Sequence, residues 1–366
     1  MTTQNNNTPE ITSSFIEEVI GDANLRIEKD FGQGFVRLKT SEAEKRQAAQ
    51  DIRSSEDIVI ELLRNSRDAN AKNIFLATQR EADKRSIVVI DDGCGLPENM
   101  RSLVFEPRVT SKLDTASLDR WGFHGRGMAL YSIRVNSSIA RIVDSKPGLG
   151  TSIQVVVDTK NISEKTDQST FPRFEMQNGK MCMRGPKNIL RTAAEFALEH
   201  KDSVNVYCGS FTEIATAINE YGMATCSPAM RAFSSNIDEC KLIQRLAFAV
   251  DPVEFSEIAS SLGLDMSPRS SRRIMDGEIK AAVVMLERIK HESLSACKPQ
   301  KFYTPKKMPK KSAVKFTQND IDSFTNTVTD AFRELASGYF LDDSVKPNVH
   351  VINGSLKVEI PLINAD

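Results

Sequence analysis

No two cysteines of this chain stand at metal or redox spacing. The six (Cys94, Cys182, Cys208, Cys226, Cys240 and Cys297) are scattered with no Cys-x-x-Cys among them. That pattern argues against a zinc site or a disulfide framework and leaves reduced thiols as the expected state. The four histidines, His124, His200, His291 and His350, are as dispersed, so no histidine-based metal cluster is suggested. No apolar run nears the roughly eighteen residues of a membrane-spanning helix, and no signal-peptide pattern opens the chain. The expectation is a cytoplasmic protein with no membrane contact. Excess charge of one sign is missing too: a net charge of −1 over 366 residues excludes polyelectrolyte behaviour, so any nucleic-acid contact must be local. There is no internal repeat.

What is present is an ordinary globular composition, with 40% hydrophobic and 27% charged residues. The length suits about two domains. Residues 1–12, rich in Thr, Asn and Gln, read as a disordered tail. Helical patterns fall at Ser13–Gly21 and along a long stretch from about Ser41 to Ala69, with a glycine-containing segment around Gly32–Gly34 between them. Strand-like runs follow at Asn73–Ala77 and Ser86–Ile90. Residues 96–124 read as a long loop with a short helix, then a helix at Gly127–Val135 and strands at Ser138–Val143 and Thr151–Val157. This order predicts an α/β layer with helices on one sheet face, over residues 13–160. A polar break at about Asn161–Thr170 reads as a domain boundary. Beyond it, residues 171–297 read as a mixed, mainly helical domain. Residues 298–316 read as an extended basic linker; residues 298–315 carry seven lysines and no acid. Residues 317–366 read as a helix followed by a β-hairpin around Asn353-Gly354.

The chemistry-bearing residues lie in the first domain, in four elements of fixed order. Glu61, Asn65 and Asp68 share one stripe of a helix whose other positions (Ile58, Val59, Ile60, Leu62, Leu63) are apolar, so the stripe points into something buried. Inward carboxylates and amides need partners, and a hydrated metal ion with a phosphate chain would satisfy them. Asp91-x-Gly93-x-Gly95 follows a strand directly. It offers a carboxylate that can accept from an exocyclic amine, and glycines that let backbone approach a flat ligand. Gly122-Phe-His124-Gly125-Arg126-Gly127 leads into a helix, where free backbone N–H groups make an anion site. Gly150-Thr151 enters a strand and brings a hydroxyl. Each element alone is a weak signal; their order and contexts together are specific.

Those motifs resemble the GHKL ATPases, the superfamily of gyrase B, the ninety-kilodalton heat-shock chaperone, histidine kinases and MutL. The resemblance covers roughly residues 50–160. Its wording is most similar to MutL-type members, through Thr110-Ser111-Lys112 in the lid and Gly122-Phe-x-Gly125. Gly125-Arg126-Gly127 instead resembles the glycine box of histidine kinases, although no histidine precedes His124 to act as phosphoacceptor. The resemblance implies an α+β fold, a two-layer α/β sandwich of the Bergerat ATP-binding type, with ATP and Mg2+ as cofactors. It implies that Glu61 is the general base, that Asn65 is the magnesium ligand, and that Asp91 binds the adenine amine with Thr151 helping through water. Gly93 and Gly95 would shape the base pocket. Lys112 and the backbone of Gly125, Arg126 and Gly127 would hold phosphates, with His124 a further phosphate contact in the lid and Asp68 a neighbour of the bound nucleotide. It also implies an ATP-gated switch that drives homodimerisation. Alternatives are an ATP-responsive DNA-binding or regulatory protein and a histidine-kinase-like protein kinase. For DNA, two segments stand out: 254–275, which resembles a helix-turn-helix with Arg269, Arg272 and Arg273 on its second helix, and the lysine run 298–315.

Overall fold

The computed structural model describes residues 27–111, 117–119, 122–124, 127–177, 180–233, 237–297, 317–337, 341–342, 344–352 and 355–363. The chain divides into two compact units, residues 1–300 and 301–366. The expected helix at Ser13–Gly21 and the basic stretch 298–316 lie outside the described residues.

A five-stranded sheet organises the first unit. Its spatial order is Asn205–Gly209, Asn73–Glu81, Lys84–Asp91, Gly150–Asp158, Ile139–Lys146. Every neighbouring pair is antiparallel except the first, where Asn205 faces Asn73 in parallel register and Gly209 faces Ala77. Alternation along the strands divides the core in two. Ile74, Leu76, Ile87 and Val89 pack toward the helices Ser55–Asp68, Ala129–Val135 and Ile189–Glu199. Phe75, Ala77, Val88 and Ile90 pack toward Phe211–Thr225, Leu242–Phe248, Pro252–Ser261 and Pro268–Met275. The two-layer α/β sandwich is therefore present, and later helices cover the face that the sequence left open.

The reading of a boundary at 161–170 meets a different arrangement, because the first compact unit runs through it to residue 300. That segment is a strap pinned to the sandwich. Glu164 is buried between Arg85 and Arg80, at 2.7 Å from each. Ser55 N donates to Ser163 O at 3.0 Å, and Gln168 Nε2 donates to Glu56 Oε1 at 2.7 Å. Asn188, the N-cap of the next helix, donates to Asp167 O and Thr170 O. A polar composition here marks hydrogen bonding to the core, and the chain then returns to add strand Asn205–Gly209 to the same sheet.

The long helix read over 41–69 is two helices, Glu42–Asp51 and Ser55–Asp68. Ser54 breaks it by taking extended angles and forming a reciprocal capping box with Asp57, which satisfies backbone donors that a continuous helix would have used otherwise. A hairpin, Ile27–Gly32 with Phe35–Leu38, occupies the Gly32–Gly34 segment, turning through Gly32, Gln33 and Gly34, all at positive φ. The supposed loop 96–124 holds the helix Met100–Leu103, a strand Val109–Thr110 paired with Val36–Arg37, and a small hairpin, Ser117–Asp119 with Gly122–His124.

In the second unit the helix Gln318–Ser337 precedes the antiparallel strands Asn348–Ile352 and Ser355–Glu359; the turn residues Asn353-Gly354 lie outside the described residues.

Candidate functional site

Helix Ser55–Asp68 supplies one wall of a cavity. Its apolar residues Ile58, Val59, Leu62 and Leu63 are fully buried, which fixes its rotation and turns Glu61, Arg64, Asn65 and Asp68 to the cavity. The wall continues through Ser66, Ala69, Gly95, Leu96, Thr110, Gly127, Thr151 and Ile153, with Phe35 closing one side from the N-terminal hairpin.

Along the stripe the three polar groups have different surroundings. Glu61 is ion-paired with Arg64, a guanidinium only 3% exposed. The Nδ2 of Asn65 is buried without a hydrogen-bond partner, and such an orphan amide calls for a ligand. Asp68 Oδ1 already accepts from Arg67, at 2.9 Å from Nε and 2.7 Å from Nη2, while Arg67 Nη1 lies 3.1 Å from His200 Nε2.

Asp91 ends its strand one layer beneath the cavity surface, 3% exposed. Its Oδ2 accepts from Ser66 Oγ at 2.7 Å and its Oδ1 from Gly93 N at 2.9 Å. Burial pushes the carboxyl up to about 6, while the Ser66 hydroxyl and the amides of Gly93 and Thr151 hold it down. An acid so placed is charged at neutral pH and ready to accept from one more donor. Thr151 Oγ1 lies 2.9 Å from Ser145 Oγ, which itself receives Leu96 N at 2.7 Å and reaches Gly150 O at 3.0 Å.

The glycines serve close backbone approach. A Cβ on Gly93 would stand 2.8 Å from Ala69 O, so the loop can lie against the end of the Glu61 helix only without one. A Cβ on Gly95, at φ +68°, would overlap the Lys146 carbonyl, and one on Gly150, at φ +97°, would overlap that of Asp91. Gly95 borders the cavity; Gly93 acts behind it.

The structure thus brings Glu61, Asn65, Asp68, Gly95, Gly127 and Thr151 around one cavity, with Asp91 directly behind Ser66 and Thr151. Lys112, Gly125 and Arg126 lie outside the described residues, and His124 is placed only as backbone, opposite Ser117. Sequence reasoning assigned no role to Arg64, Ser66, Ser145 or Phe35. Ser66 carried only a weak signal, as a small polar residue next to Asn65 but about 100° around the helix from the stripe. Ser145 carried none, because its partners depend on the hairpin folding back. Among the described residues no group of three or more His, Cys, Asp or Glu side chains could hold a metal. A divalent cation here would draw most of its ligands from phosphate and water. No described helix is long and apolar enough to cross a membrane.

Comparison with known proteins gives the cavity a context. The family described as "Histidine kinase-, DNA gyrase B-, and HSP90-like ATPase" matches residues 52–183. The DNA mismatch repair protein MutL of Clostridium perfringens is 39% identical over 253 residues, 64% of this chain and 36% of that protein. The one of Bacteroides fragilis is 28% identical over 223 residues, 57% of this chain and 32% of that protein. The chain therefore spans about a third of the length of these relatives. A solved structure of the mycobacterial sensor histidine kinase MprB aligns with 34% of this chain and 75% of that chain, at 20% identity and a TM-score of 0.21.

Proposed function

We propose, from the premise that residues 52–183 form a GHKL-superfamily ATP-binding domain of MutL-like wording, that this chain binds and hydrolyses ATP with magnesium. The observation that carries the reading is the buried Asp91 carboxylate, bonded to Ser66 behind a cavity that Glu61 and Asn65 also line. Asp91 accepts from the adenine amine, and Thr151 assists it through water. Gly95 keeps the loop clear of the base, and Gly127 ends the Gly125–Gly127 backbone that receives the phosphates. Lys112, His124, Gly125 and Arg126 belong to the same reading as phosphate-side contacts, and Asp68, on the cavity wall, as a further nucleotide-binding residue.

The donor set fits a magnesium site in part: Asn65 Oδ1, on the cavity wall beside Glu61, is the atom that would hold the ion, while its unpartnered Nδ2 is a donor that suits a phosphate oxygen. Such an ion, when bound, neutralises charge on the phosphate oxygens. Glu61 orients water in line with the γ-phosphorus and takes its proton as the new P–O bond forms. The bond to the β-phosphate oxygen breaks, leaving ADP and phosphate; positioning supplies most of the acceleration. Closure of the lid on nucleotide would couple these events to homodimerisation of a cytoplasmic protein.

Phosphate release with Mg2+ present, alongside calorimetric ATP titration, tests this. Glu61→Ala should retain ATP binding and lose hydrolysis, and Asp91→Asn should lose binding. Equal hydrolysis by wild type and Glu61→Ala, in preparations free of contaminating activity, refutes the role of Glu61.

A second reading is ATP-responsive DNA binding. It is favoured by Arg269, Arg272 and Arg273, all exposed on helix Pro268–Met275, the second of two packed helices. Arg273 is partly engaged by Glu278, at 2.9 Å. Anisotropy titration of duplex DNA at low salt, with and without ATP, tests it. Absence of binding in both states rules it out.

A further inference from the structure

Arg245 lies outside the matched family segment, on the 3-10 helix Leu242–Phe248, and its side chain is 3% exposed. Burying a guanidinium is unfavourable unless its donors are all met by well-placed acceptors. Here Nη1 donates to Asp144 Oδ2 at 2.6 Å, Nη2 to Asp238 O at 3.3 Å and Nε to Cys240 O at 3.4 Å. The strongest of these ties runs to Asp144, at a register irregularity in the edge strand Ile139–Lys146.

Asp144 spends its second oxygen on the cavity side. Oδ1 accepts from Arg101 Nη2 at 2.8 Å and from the backbone N of Ser145 at 2.8 Å. Arg101 also donates to Ser145 O. Ser145, fully buried, places its hydroxyl between Thr151 Oγ1 and Leu96 N. Thr151 and Leu96 are cavity wall. Arg101 sits on the helix Met100–Leu103, at the start of the segment that carries Thr110 and Ser111 to the same cavity.

Further bonds hold the same two pieces together. Leu242 N donates to Leu149 O at 3.0 Å, Lys146 Nζ to Asp238 O at 3.1 Å, and Ser152 Oγ to Leu262 O at 2.7 Å. Residues 238–262 therefore clamp the turn between the strands Ile139–Lys146 and Gly150–Asp158 from behind. Of this clamp, only Arg245 reaches the carboxylate that orders the Ser145–Thr151 wall.

We infer that Arg245 is a positioning residue for the nucleoside end of the nucleotide, acting through Asp144 on Ser145, Thr151 and Leu96. This rests on the proposed ATP-binding reading. The action is selective, because Arg245 touches no residue of the Glu61–Asn65 wall: it sets how tightly adenosine is held and leaves the phosphate chemistry alone.

The experiment uses the full chain and five proteins: wild type, Arg245→Met, Arg245→Lys, Asp144→Asn and the Arg245→Met/Asp144→Asn double variant. Thermal unfolding is recorded first, then ATP and ADP affinity, tripolyphosphate affinity, and the kcat and KM of hydrolysis. Arg245→Met should weaken ATP and ADP binding at least tenfold, with tripolyphosphate binding and kcat at saturating ATP changed less than threefold. Arg245→Lys, which keeps a donor and the charge, should recover most of the loss. Asp144→Asn should weaken adenosine-nucleotide binding as Arg245→Met does, and adding it to Arg245→Met should bring little more. Wild type that fails to bind ATP overturns the functional reading itself. Wild type that binds, with folded Arg245→Met or Asp144→Asn binding ATP within twofold, overturns the positioning role alone. So does a loss that is equal for ATP and tripolyphosphate. If Arg245→Met does not fold, Asp144→Asn, which conserves bulk, carries the same decision.

Discussion

Arg64, buried and one turn further along the helix, closes its guanidinium on the carboxylate of Glu61. The pair fixes where the Glu61 carboxylate points, which matters for the general-base role proposed for it. Replacing Arg64 with Met removes one charged hydrogen bond and should destabilise the fold by about 2 kcal/mol. Hydrolysis should fall at least tenfold, with ATP affinity changed less, and Arg64→Lys should lie between. Urea unfolding and single-turnover hydrolysis separate the two effects. Hydrolysis unchanged in a folded Arg64→Met would show that Glu61 needs no such partner.

Asp91 gives a pH signature. Its carboxyl stands near 6 in the folded protein because burial raises it from 3.8. Only the ionised form can accept from an amine on both oxygens, so ATP affinity should weaken as pH falls through about 6, approaching tenfold per unit below it. Ser66→Ala removes the 2.7 Å donor that holds the group down, and should move that midpoint upward. The stability term has the opposite sign. A raised acid favours the fold when protonated, so its contribution is complete below 3.8 and is lost as pH rises through about 6, a change on the order of 3 kcal/mol. Asp91→Asn should flatten that part of the stability profile. Affinity that is flat from pH 5 to 8 would count against Asp91 as the base-binding acid.

Three glycines at positive φ near the site predict unequal outcomes. A Cβ at Gly148, φ +79°, meets nothing within 4 Å, so Gly148→Ala should lose only the backbone term of about 1 kcal/mol. Gly95→Ala and Gly150→Ala drive a methyl into a carbonyl and should lose more than about 3 kcal/mol or fail to fold. Chemical denaturation of the three variants checks the order, and a tolerant Gly95→Ala would contradict the packing of the loop on Lys146.

Glu164 holds two arginines, and its side chain is 4% exposed. Glu164→Ala leaves Arg85 buried and unpaired, which should destabilise by about 3 kcal/mol. Limited proteolysis is the sharper assay: residues 161–170 should resist cleavage in wild type and become cut in the variant. Ready cleavage of wild type there would favour the reading of a domain boundary.

How much of this was legible follows from how local each signal is. The strand ending at Asp91 was readable because an apolar run meets Asp-Asp-Gly-Cys-Gly within one short stretch. The Glu61 stripe was readable because helical spacing is a local rule. The break at Ser54 was not seen, since a capping box inside a helix-favouring composition looks like more helix. The bonds of the strap at 161–170 are not legible locally: polar residues signal a boundary until Glu164 is known to meet Arg80 and Arg85, some eighty positions earlier. Arg245 and Ser145 were invisible as site residues because Asp144 joins them across about a hundred residues of chain.

One pairing in the sheet bears on how the molecule could be handled or divided. Strand Asn205–Gly209 caps the edge of Asn73–Ala77, and Tyr207 stacks on Phe75 at 4.4 Å. A recombinant fragment that stops where the family match stops, at residue 183, would leave Asn73–Ala77 as a bare, apolar hydrogen-bonding edge open to any strand. Such a piece would carry every motif residue and still be prone to self-association. Heredity of the motifs and autonomy of the fold thus have different borders in this chain, and the second lies well beyond the first.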